Sequence, residues 1–216
     1  MSSSRQPVRL EAIQVAAWAA WSGALLVTGA TAYFVFTLLK QLDPQLPAYA
    51  AYEGEHWKLL GGFVAERLFV GADVVGFLAI VVGGLAFAVA CWRGNPPARS
   101  WVAALRALAI LAMVGLMTFR FAYLDPAMQA DLDAYRAAAA AGETEAALQI
   151  QARYDGRHST ASTVMVASLV TAIAAFGFTL ATSRRVLSGE VREREAAPAA
   201  SPSGLQEPAL LKGRRP

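Results

Sequence analysis

The chain has 216 residues, a formal net charge of +3 and 56% hydrophobic residues against only 16% charged ones. Soluble domains run about 45–50% apolar and about 25% charged. This balance, gathered in long apolar blocks, argues against a soluble globular domain, a disordered chain or a basic nucleic-acid binder, and indicates an integral membrane protein in contact with a lipid bilayer.

The first apolar block runs from Ala12 to Leu39 and holds no charged residue. A bilayer core takes about 20 helical residues, so the block is long enough to span it. A signal peptide is the rival reading, because Arg5 and Arg9 precede the block and Ala30-Thr31-Ala32 resembles a cleavage site. The run continues through Phe34, Val35 and Phe36, which favours an anchor.

Lys40 to Lys58 is a polar connection broken by Pro44 and Pro47. A second block follows from Leu59 to Trp92. Its embedded part is placed at 69–92, with Leu59 to Arg67 as an interfacial turn or helical extension. Arg93 to Ser100 contains Gly94, Asn95, Pro96 and Pro97, a turn signal short enough to make the flanking spans antiparallel neighbours. Trp92 and Trp101 bracket that turn, as in an interfacial aromatic belt. Span three is 101–123.

Leu124 to Arg157 carries six acidic and three basic residues and an alanine run ended by Gly142. Its residues favour helix, which predicts a water-exposed helical hairpin between spans three and four. Span four is 159–183. The segment 186–216, rich in Pro, Ala, Ser and charge, reads as a disordered cytoplasmic tail. The expected fold is therefore all-α: a four-helix membrane bundle (12–183) with an extramembrane hairpin. Small residues four apart, Ala72 with Gly76, Gly84 with Ala88 and Ser168 with Ala172, predict close helix contacts within it or with a second copy.

Lys and Arg concentrate in the N-terminal segment (residues 1–11), the second loop and the residues after span four. The positive-inside rule then puts both termini in the cytoplasm, as expected for a bacterial inner-membrane protein. The lone cysteine, Cys91, cannot form an internal disulfide and reads as a small buried apolar residue.

Ionisable groups in or beside the spans are the residues to weigh, since a charge in hydrocarbon costs several kcal/mol, on the order of 3. They are Glu66, Arg67, Asp73, Arg106 and Arg120. Glu66 and Asp73 are seven apart and share a helix face. Asp73 lies about 6 Å beyond Phe69 at about 1.5 Å per residue, and Arg120 lies at a similar depth in span three. Arg120 is thus the expected partner of Asp73 or Glu66. Arg106, near the inner end, is expected to snorkel to the interface.

Glu66, Asp73, Arg120 and His158 form either an outer-leaflet polar pocket, with His56 as a further member, or a charge pair that pins helices together. The pinning role is the favoured one. A copper or haem site would have to draw on His56, His158, Met113, Met117 and Met165. Methionine at helical spacing is more often packing, and no histidine lies deep in a span. No cofactor is expected, and no nucleotide-loop, metalloprotease, CxxC or hydrolase-elbow motif is present.

The layout resembles the four-span membrane family that includes transmembrane protein 205. The match is carried by Tyr123-Leu124-Asp125-Pro126 at the end of span three, by the long polar helical segment after it, and by Tyr154 to Ser162, which brings His158 and small hydroxyl residues to the start of span four. The chain departs from the family pattern at Arg120 and Met165, where Asn is common. The resemblance implies a four-helix membrane bundle with no established biochemical activity, and Asp125, Pro126 and His158 as family-like positions. Three functions are expected, in descending order: a structural or accessory membrane subunit that meets a second copy or other membrane proteins, a small transporter or ion-handling protein, and a metal or haem redox protein.

Overall fold

The structure, a computed structural model, describes residues 5–93 and 101–196. Among them there is no strand, and four helices are long and apolar enough to cross a membrane. Helix α1 covers Arg5–Leu42, α2 His56–Trp92, α3 Trp101–Phe119, α4 Asp125–Ala140 and α5 Thr144–Ala196. A 3-10 turn at Pro47–Tyr49 interrupts the α1–α2 connection, and a π-helical turn, Arg120–Leu124, joins α3 to α4. The chain folds as an all-α four-helix bundle.

The α1–α2 contact shows why. On α1, Gln14, Trp18, Trp21, Leu25 and Thr28 are buried at alternating spacings of four and three. That is the heptad seam of a helix wrapped by a partner. On α2 the matching face is small: Ala72, Gly76, Ala79, Gly83, Ala86 and Ala90, again at alternating spacings. Bulk on one helix meets its absence on the other. A Cβ built on Gly83 would stand 2.6 Å from the Trp18 ring, and one on Gly76 2.6 Å from Trp21 Nε1. Gly83→Ala should therefore destabilise the protein by about 1–3 kcal/mol, read as a lower unfolding midpoint in detergent. Gly84→Ala, whose new Cβ meets only Ile110 at 3.9 Å, should leave the midpoint unchanged.

Helix α1 packs most extensively on α2 and then on α5, while α3 and α4 pack on α5. Contacts between α2 and α3 are sparse. The two touch at a few places, such as Gly84 with Ile110 and Phe87 with Arg106, while the Trp seam packs α2 mainly on α1. The turn 94–100 itself lies outside the described residues.

Several boundaries differ from the sequence reading. The polar connection shrinks to 43–55, whereas Leu59 to Arg67 takes the second of its two expected forms, a helical extension. The hairpin arms are continuous with spans three and four: the π turn carries α3 into α4, and α5 runs unbroken from the second arm through span four. Between the arms, Gly142 takes φ +75°, and the N–H groups of Gly142 and Glu143 donate to the carbonyls of Ala139 (3.1 Å) and Ala138 (2.9 Å). This is the glycine-dependent helix stop that closes orphan carbonyls. The expected disordered tail is corrected in its first part: 186–196 continues α5 as helix, since the preceding turns supply the nucleus and its Leu, Glu, Arg and Ala residues propagate it. Residues 197–216 lie outside the described residues.

Two further expectations are corrected. Cys91 is exposed, because it follows Ala90 and so falls about 100° off the buried face of α2. Of the three small-residue pairs, Ala72–Gly76 and Ser168–Ala172 are buried, whereas Gly84 is half-buried and Ala88 exposed.

Candidate functional site

Pro126 shapes the site. It lacks an N–H, and its ring crowds the carbonyl four residues earlier. The helix answers by inserting one residue: the Asp125 N–H donates to the Arg120 carbonyl, five residues back. Such π turns occur mostly as single insertions, frequently at functional sites. Here the turn places Arg120 and Asp125 on one side of the junction, facing α2.

Arg120 Nη1 lies 2.7 Å from Asp73 Oδ1, and Nη2 donates to Asp73 Oδ2 at 2.9 Å. This two-pronged pairing is the strong form of an arginine–carboxylate contact. Asp125 Oδ1 stands 3.5 Å from the same Nη2 and is the more exposed acid. Glu66 does not join them. Its Oε2 accepts from Arg136 Nη2 at 3.2 Å, and the Arg136 guanidinium sits 3.8 Å from the centre of the Phe63 ring. Arg67 is exposed.

These groups line a cavity of about 160 Å³ between α2, the π turn with α4, and α5. Glu66, Asp73, Arg120 and His158 all line it, and so does Asp125; Phe69, Met128, Leu132 and Met165 supply apolar wall. The Tyr154 and His158 rings are stacked at 6.0 Å. Its walls come from α2, α4, α5 and the π turn, and the contact of α2 with α4 and α5 is sparse.

His56 is not part of this cavity. Its Nδ1 accepts from the Leu46 N–H at 2.9 Å, and its Nε2 donates to the Tyr52 carbonyl at 2.8 Å, so both ring nitrogens are engaged. Tyr52 in turn bonds Tyr135 at 3.0 Å, tying the α1–α2 connection to α4. Among the described residues, no three His, Cys, Asp or Glu groups gather closely enough to hold a metal ion. Met113 and Met117 are buried core residues, and Met165 packs beside them.

A second polar cluster went unread in the sequence. Arg106 is 2% exposed and does not snorkel. Its Nη1 donates to Glu11 Oε1 (3.1 Å) and Thr182 Oγ1 (2.7 Å), and its Nη2 to Gln14 Oε1 (2.6 Å). The guanidinium also lies 5.2 Å from the Phe87 ring centre. Arg106 shares a buried face with Ala109, Met113 and Met117, which turns it inward. Glu11 and Gln14 continue the Trp seam of α1, and Thr179 and Thr182 the buried face of α5. The signal was there in the register of each helix, but depth along a single helix does not reveal it.

Compared with protein-family models, curated proteins and solved structures, the chain matches none.

Proposed function

We propose that this chain is a structural or accessory subunit of a membrane, with its four spans held together by their own charged groups. The observation that carries this reading is the pairing of Asp73 with Arg120 and of Arg106 with Glu11 and Gln14, each across different helices. Charges satisfied within the chain need no ligand to stay in the bilayer. The clustering of Lys and Arg near the N-terminus, in the second loop and after the fourth span supports both ends in the cytoplasm, as in a bacterial inner membrane. The resemblance to the transmembrane protein 205 family supports a four-span membrane bundle, and the small residues at spacings of four support close packing within it or against a second copy.

The cavity beside Asp73 and His158 favours a second reading, a small ion-handling or transport protein, because protonatable groups line an opening between helices. Proteoliposomes separate the two. Proton flux in vesicles holding the full chain should equal that of empty vesicles. Flux above that background, abolished by Asp73→Asn, would replace the structural reading with the second.

A further inference from the structure

A second cavity, of about 210 Å³, lies next to the first, and Tyr154 and His158 line both. Four helices contribute aromatic side chains to it: Phe36 of α1, Trp57 of α2, Tyr135 of α4 and Tyr154 of α5. Aromatic rings gathered around a space are a recognition device for organic ammonium groups, drawn to the negative faces of the rings.

One polar neighbour has an unmet requirement, and another offers a charge. Gln151 is nine-tenths buried, and its Oε1 accepts no hydrogen bond. A buried acceptor without a donor is unfavourable. Its Nε2 donates to Asp155 Oδ2 at 3.4 Å. Asp155, exposed at the rim of the same cavity, forms no ion pair among the described residues and is available to a cation. The cavity's own cation is already engaged: Lys58 Nζ lies 2.6 Å from Glu55 Oε2, a bond that holds the Glu55 carboxyl below the usual carboxylate range. That same Nζ stands 5.7 Å from the centre of the Trp57 ring, so this ring already accepts one ammonium.

One chemical group answers the aromatic walls, the bare acceptor and the unpaired carboxylate together. We propose that this cavity binds an alkylammonium group, which donates N–H to Gln151 Oε1, pairs with Asp155 and faces the rings of Phe36, Trp57 and Tyr135. The site is separate from Asp73 and Arg120 and stands apart from the structural reading given above. Two sources offer this chemistry, a free amine and the ethanolamine headgroup of a lipid.

The test is calorimetric titration of the purified full chain in detergent with butylammonium and with n-butanol, its uncharged counterpart. Butylammonium should bind at least tenfold more tightly. Asp155→Asn should weaken it about tenfold, equivalent to about 1.4 kcal/mol. Trp57→Leu should do the same, while Trp57→Phe, which keeps an aromatic face, should retain binding. In lipid discs of fixed phosphatidylglycerol content, weaker butylammonium binding when the remaining lipid is phosphatidylethanolamine than when it is an uncharged glycolipid would assign the headgroup as the source, and equal binding the free amine; either supports the site. Equal affinity for the two probes, unchanged affinity in Asp155→Asn or Trp57→Leu, or no butylammonium binding in the glycolipid discs would each overturn it.

Discussion

Arg106→Met should destabilise the bundle by about 3–5 kcal/mol, the loss seen when one partner of a buried ion pair is removed. The substitution keeps an unbranched side chain of similar length but removes every donor that Glu11, Gln14 and Thr182 share. Glu11 is 8% exposed and Gln14 fully buried, so water cannot take over these roles. Three helices lose a common fastening, because the partners sit on α1, α3 and α5. Glu11→Gln alone should cost less, since Arg106 would keep Gln14 and Thr182. Combining Glu11→Gln with Arg106→Met should recover much of the loss, because no bare charge remains. Unfolding midpoints in detergent check all three, and a wild-type midpoint for Arg106→Met would reject the buried fastening.

The second large effect concerns the π turn. Asp73→Asn and Arg120→Gln should each be destabilising, and the double variant should lose less than the sum, with a coupling of about 1–3 kcal/mol. The two single losses should differ. Asp73→Asn leaves Arg120 with Asp125, 3.5 Å away. Arg120→Gln leaves Asp73 nearly buried, with no second cation within ion-pair distance among the described residues. Arg120→Gln should therefore be the more damaging change, by up to about 3 kcal/mol. A thermodynamic cycle in detergent measures this, and strictly additive losses would show that the pair contributes no coupling.

Much of the architecture was legible in the sequence, and the reason is solvent. Hydrocarbon penalises charge and unpaired backbone, so spans appear as long, predominantly apolar blocks in which the few ionisable residues stand out. Asp73 with Arg120 was also readable, because both depths follow from counting residues along a helix. Lateral arrangement was not. Arg106 meets Glu11 95 residues away in sequence, and only the buried register of each helix points to that contact. Cys91 was misread for a similar reason, since an apolar run has no sidedness until the Ala and Gly positions of α2 are aligned against Trp18 and Trp21. The π turn had one visible cue, Asp125-Pro126 in a segment otherwise suited to helix, but a proline marks only that a regular turn fails and leaves open what replaces it. The second cavity gathers Phe36, Trp57, Tyr135 and Gln151 from four separate stretches, and nothing local in any of them announces it.

Helix α5 has 53 residues and no proline, which at about 1.5 Å per residue makes a rod of about 80 Å. It carries Tyr154 and His158 beside both cavities and, about 36 Å further along, Thr182 against Arg106. No proline breaks the backbone ladder between the two stations. One helix thus furnishes a wall to both cavities and a hydroxyl to the buried fastening, so the two ends of the bundle are built on a single uninterrupted element.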